Sequence, residues 1–91
     1  MRENREPEAA RELPEFPTEI TFKAVYRFSP HIMGTIRNAL HEQGLKAAVS
    51  SRPSSGGKFV SFTVTAVFDS EERLKAACGV VAAIEGFMTM F

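Results

Sequence analysis

Hydrophobic and polar positions alternate along the chain in blocks, and the period of each block predicts an element. The clearest runs from Phe59 to Phe68. Val60, Phe62, Val64, Ala66 and Phe68 fall on one face, and Phe59, Ser61, Thr63, Thr65 and Val67 on the other. Period-two alternation of β-branched and aromatic residues is the pattern of a half-buried strand. Glu19 to Phe28 repeats it. Ile20, Phe22, Ala24, Tyr26 and Phe28 are expected inward, because the other set carries Glu19, Lys23 and Arg27.

Between these strands the period changes to that of a helix. Ile32, Met33, Ile36, Ala39 and Leu40 recur at helical spacing. Ser29-Pro30 reads as its start, with Ser29 as N-cap and Pro30 at the first helical position. Gln43-Gly44 reads as its end, with Gly44 left-handed. Leu45 to Ser51 predicts a short strand with Leu45, Ala47 and Val49 inward. The Arg52–Lys58 turn joins it to the long strand as a hairpin. Asp69 as N-cap and Glu72 three residues on resemble a capping box. They open a second helix whose buried stripe is Leu74, Ala77, Cys78, Val81 and Ile84. Gly86 ends it, and Phe87 to Phe91 is a last strand, with Phe87 and Phe91 inward and Met88 and Met90 outward. Residues 1–15 show almost no apolar face and read as a mobile charged tail before a domain over 16–91.

The order β-α-β-β-α-β predicts an α+β ferredoxin-like sandwich. It has a four-stranded antiparallel sheet in order 4-1-3-2 with both helices on one face. The open face is expected to carry Thr21, Lys23, Val25, Arg27, Phe59, Ser61, Thr63 and Thr65.

Several short motifs resemble the YbeD-like family of small bacterial proteins. They are Phe16-Pro17-Thr18 followed by Phe22-Lys23, then Pro53-Ser54-Ser55, Gly57, Phe59 and Ser61, with basic Arg52 before the proline. The resemblance covers Phe16 to Phe91. It implies the ferredoxin-like sandwich and an architecture like that of the small-molecule-sensing ACT regulatory domains. It implies no biochemical activity.

Composition narrows the function classes. Ninety-one residues make one domain, 44% hydrophobic and 24% charged. Eleven basic and eleven acidic residues cancel, so bulk charge predicts no polyanion partner. Residues 1–15 hold three Arg and five Glu, which leaves a small positive excess on the rest. Cys78 is the single cysteine, so neither an internal disulfide nor a cysteine metal cage is available, consistent with a cytoplasmic protein. No apolar run reaches the length of a membrane span, and the charged N-terminus does not read as a secretory signal.

Candidate chemistry is sparse. His31 and His41 are ten residues apart and lack ligand spacing. Cys78 lies on a buried stripe, and no serine has an evident base, so no enzyme and no cofactor are expected. Aromatic residues of the two central strands face the core apart from Phe59, which argues against base stacking as in RNA-recognition motifs. Weak nucleic-acid binding through Lys23 and Arg27 is the alternative reading. The main one is a small regulatory or interaction domain that binds a small anionic ligand or a partner protein. The binding candidates are Lys23, Arg52, Ser54, Ser55, Gly57, Lys58, Phe59 and Ser61, a patch of positive charge and hydroxyl donors. The turn among them could also form an anion-binding nest of backbone N–H groups. Phe87 to Phe91 carries no charged residue, so weak self-association through that edge is expected.

Overall fold

The computed structural model describes residues 15–91. The tail expected over 1–15 lies outside them, Glu15 apart. The elements are β1 (Thr18–Arg27), α1 (Ile32–Glu42), β2 (Ala48–Pro53), β3 (Phe59–Phe68), α2 (Glu71–Ala82) and β4 (Phe87–Met90). All strand pairings are antiparallel and the order is β2-β3-β1-β4, the expected 4-1-3-2 arrangement. β1 and β3 are central and pair along ten residues, from Thr18 opposite Phe68 to Arg27 opposite Phe59.

The core lies between sheet and helices. Val60, Phe62, Val64, Ala66 and Phe68 of β3 are all buried, as are Phe22, Ala24 and Tyr26 of β1. Ile32, Ile36 and Leu40 of α1 and Ala77 and Val81 of α2 cover them. Tyr26 meets Phe62 and Phe87 edge to face, at centroid distances of 5.6 and 5.7 Å. Its hydroxyl donates to the Val81 carbonyl at 2.5 Å, so the one polar atom of this ring has a partner. Phe16 packs against the core.

The ends of elements depart from the expected positions. The N-cap of α1 is His31, without a side-chain cap, and Ser29 is not. Ser29-Pro30-His31 instead forms a turn closed by Ile32 N–H to the Ser29 carbonyl, so Pro30 precedes the cap. The N-cap of α2 is Ser70, one residue after Asp69. Ser70 is the residue in extended conformation, and its Oγ accepts from Arg73 N–H at 3.2 Å. At the other end of α1, Gly44 has φ +78°. Gly44 N–H bonds the His41 carbonyl and Leu45 N–H bonds that of Leu40, the pair of bonds of a Schellman closure.

That closure holds Leu45 to the helix, so β2 starts at Ala48 rather than Leu45. The expected phase survives: Leu45 is buried, Ala47 and Val49 are half-buried, and Lys46, Ala48 and Ser50 are exposed. Arg52 and Pro53 belong to the strand, because Ser54 N–H closes the hairpin on the Phe59 carbonyl at 2.8 Å.

Three apolar side chains depart from expectation in their exposure. Phe28 is 57% exposed, because it lies past the end of the core at the rim of a hollow, although its N–H still bonds its register partner, the Lys58 carbonyl. In β4 the register slips. Val25 pairs with Thr89, but Tyr26 pairs with Phe87. Met88 is thus an extra, exposed residue in a bulge, and the alternation restarts after it. Met90 therefore packs on the core and Phe91 is 71% exposed, the reverse of the expected assignment for both. Phe87 inward and Met88 outward stand.

Candidate functional site

The open sheet face is a grid of short rows, and register sets which side chains are neighbours. Thr21, Thr65 and Ala48 form one row, then Lys23, Thr63 and Ser50, then Val25, Ser61 and Arg52, then Arg27 and Phe59. Thr21 and Thr65 hydroxyls hydrogen-bond at 2.8 Å. Lys23, Arg27 and Arg52 put three cations on this face.

The last two rows and the hairpin enclose a hollow of about 500 Å³. Arg52, Ser54, Ser55, Phe59 and Ser61 line it, five of the eight residues singled out from sequence, together with Val25. Gly57 and Lys58 sit in the turn beyond it, and Lys23 lies one row away on β1. Gly57 has φ +75°, a conformation glycine takes without strain.

The turn's own bonds decide between the two readings of the hairpin. Ser54 N–H is held by the Phe59 carbonyl, Gly57 N–H by the Ser54 carbonyl, and Phe59 N–H by Ser54 Oγ at 3.2 Å. Three backbone donors of the segment are therefore used within it. Ser54, Gly57 and Phe59 N–H are thus withdrawn from an anion nest, and Arg52, Ser54 and Ser55 bring side-chain donors to the hollow. Arg52 supplies the charge, and among the described residues no carboxylate lines the hollow. Such a lining can hold a carboxylate or phosphate by charge-assisted hydrogen bonds, with Phe59 and Val25 as apolar walls.

A second hollow, of about 560 Å³, lies where the β1–α1 loop meets the α2–β4 loop. Arg27, Phe28 and His31 line it beside Ile84 and Glu85. Arg27 N–H to the Gly86 carbonyl at 2.9 Å ties the two loops together. Sequence reading missed it, because its two halves lie more than fifty residues apart and share no motif. Glu85 makes it a poorer host for an anion than the open-face hollow.

Two aromatic residues reach the open face. Phe91 is the addition to Phe59, since its backbone pairs with Lys23 in both directions. Phe59 lies opposite Arg27. Four residues along β1 and two strand spacings place the rings' Cα atoms about 16 Å apart, too far to stack neighbouring bases.

Burial shifts two titratable groups of the described residues. Burial pushes the Tyr26 hydroxyl up to about 12 and raises the Cys78 thiol above its ordinary value. Among the described residues no cluster of His, Cys, Asp or Glu could hold a metal ion. No helix among them is long and apolar enough to cross a membrane.

Comparisons with known proteins bear on the fold. A family model described as "Protein of unknown function (DUF493)" matches residues 11–90. No curated protein matches. The solution structure of protein HP0495 from H. pylori is similar, with a TM-score of 0.76 at 12% identity, over 87% of this chain and 86% of that one. The ACT domain from GTP pyrophosphokinase of Chlorobium tepidum gives 0.68 at 7% identity, over 80% and 94%. The ligand-free regulatory subunit of aspartate kinase from Thermus thermophilus gives 0.58 at 20% identity, over 82% of this chain and 51% of that one. At these identities the likeness is one of fold, and the fold is ACT-like.

Proposed function

The chain belongs to the DUF493 family, and on that premise we propose that it is a small cytoplasmic regulatory or interaction domain, not an enzyme, that binds the anionic group of a small ligand or partner protein on its open sheet face. One observation carries the reading. The register puts Arg52 and Ser61 in one row, beside Ser54, Ser55 and Phe59, around a hollow without a carboxylate. Arg52 is the charge that selects an anion, the Ser54 and Ser55 hydroxyls are its further donors, the Ser61 hydroxyl being turned to the Arg52 carbonyl, and Phe59 covers the apolar part of the ligand. The fold likeness to an ACT domain and to a regulatory subunit of aspartate kinase supports a regulatory rather than a catalytic role. Weak nucleic-acid binding through Lys23, Arg27 and Arg52 is the second reading. The wide spacing of Phe59 and Phe91 counts against it, and its steep salt dependence would distinguish it.

Titration of amide-labelled protein with inorganic phosphate and with acetate tests the site. Saturable shifts at Arg52, Ser55, Phe59 and Ser61 are expected, lost in Arg52→Ala. Shifts centred on Arg27 and Glu85, or none, would remove the open-face hollow as the site.

A further inference from the structure

The sheet has two edges, and they differ. Ser54 and Phe59 form a hydrogen-bonded pair at the hairpin. Bonded pairs alternate along an antiparallel ladder, so Arg52–Ser61, Ser50–Thr63 and Ala48–Thr65 follow. The backbone groups of Val49, Ser51 and Pro53 therefore point away from β3, to the free edge. Pro53 has no N–H, which suits that outward position. Val49 and Ser51 each leave a donor and an acceptor there. β2 pairs regularly over its six residues, and Ala48, Ser50 and Ser51 carry no charge to guard it. β4 is shorter and bulged, which blunts its edge.

Beside β2, on the helix side, runs a groove of about 320 Å³. Leu40, Leu45, Ala47 and Val49 line it with Arg37 and Lys46, and among the described residues no acidic one does. Glu42, on the same helix, is not part of the lining. An apolar slot with cationic residues, next to unpaired strand groups, has the parts needed for strand addition. The backbone supplies affinity and the slot supplies selectivity.

We propose that β2 is the docking edge for an extended acidic segment of a partner protein. The segment adds as a fifth strand, places an aliphatic side chain in the groove, and sets carboxylates against Arg37 and Lys46. A second copy of this chain suits the edge poorly, because antiparallel β2–β2 pairing would gather two Arg37 and two Lys46 around one axis. The proposal does not rest on the anion reading of the open face, since neither Arg37 nor Lys46 lines that hollow.

Selection from a displayed library of random short peptides tests it. Recovered peptides are expected to alternate aliphatic and polar residues, carry net negative charge, and shift the amides of Val49 and Ser51. Ser51→Pro removes one outward donor and no ladder bond, and should weaken them by about tenfold or more. The doubly reversed Arg37→Glu, Lys46→Glu protein should do the same, and decides the matter should Ser51→Pro melt early. Lys75→Ala, exposed on α2 and outside both hollow and groove, should bind as wild type does. No selected binder, neutral or basic binders, or equal binding by both variants would overturn the proposal. So would a sedimenting dimer that Ser51→Pro dissociates, which would assign the edge to a second copy.

Discussion

The Arg73 guanidinium on α2 donates to the Gln43 carbonyl at the end of α1, thirty residues earlier, at 2.6 Å. The last carbonyls of a helix lack intrahelical partners, and a cation there also complements the helix dipole. Arg73 thus joins the two helices where Gly44 leaves room. A Cβ on Gly44 would come within 3.3 Å of Arg73 Nη2. Arg73→Met should destabilise by about 1–2 kcal/mol, a charged hydrogen bond discounted for partial exposure. Lys75→Met, which breaks only the exposed pair with Glu71, should change stability by about 0.5 kcal/mol or less. Chemical denaturation of both variants checks the contrast, and equal losses would refute it.

Ser70→Ala should cost about 1 kcal/mol, because Ser70 Oγ accepts the Arg73 N–H. Asp69→Ala should cost less, since Asp69 reaches Arg73 only at 4.0 Å and is exposed. The reverse order of melting midpoints would restore Asp69 as the cap.

Tyr26 is the single tyrosine, so tyrosinate absorbance reports on it alone. Burial raises its folded pKa from the ordinary value of about 10 to about 12. The neutral hydroxyl is favoured in the folded state. The stability this gives is full below pH 10, and it is lost as pH rises from 10 towards 12. Titration should show Tyr26 ionising late and together with unfolding, whereas the urea-unfolded chain ionises near the ordinary value. Tyr26→Phe should cost about 0.5–1.5 kcal/mol at neutral pH by removing this hydrogen bond, since the Val81 carbonyl keeps the Ile84 N–H, and should lessen the alkaline slope.

In β4, Met90→Ala should destabilise by more than Met88→Ala. Met90 packs on the core, and Met88 is the exposed bulge residue. About 2 kcal/mol is expected for the first, at the low end for a core methionine, and under about 0.5 kcal/mol for the second. Equal values would mean that the strand alternates without a bulge.

What the sequence disclosed followed from how local each signal was. Alternation in Phe59–Phe68 fixed every inward residue of β3, because a one-residue slip would bury the polar set. Helix stripes were legible for the same reason. Phe28 was not: strand periodicity cannot say where the core stops, and Phe28 lies past its end while its N–H still bonds Lys58 in register. Nor was the β4 bulge, which depends on register against β1. The candidate site divides likewise. Arg52, Ser54, Ser55, Phe59 and Ser61 are close in sequence and come together. Lys23 was drawn in by face alone, and register puts it one row off. The groove at Arg37 and Lys46 needs a helix, a loop and a strand brought side by side, and no local pattern announces it.

That row makes a separable prediction. Arg52 lines the open-face hollow and can bond an anion directly, an interaction of about 1.5–3 kcal/mol. Lys23 lies two strands and two residues from Arg52, about 12 Å between Cα atoms. At about 10 Å in water two unit charges interact by only about 0.4 kcal/mol, roughly twofold in affinity. Arg52→Ala should therefore weaken phosphate binding by about tenfold or more at any moderate salt. Lys23→Ala should weaken it about twofold at low salt and negligibly once added salt screens the gap. Both residues are exposed, so melting midpoints should stay close to wild type. Titration of the two variants at low and high salt checks this. A larger loss for Lys23→Ala than for Arg52→Ala would move the anion from the hairpin to the middle of the sheet.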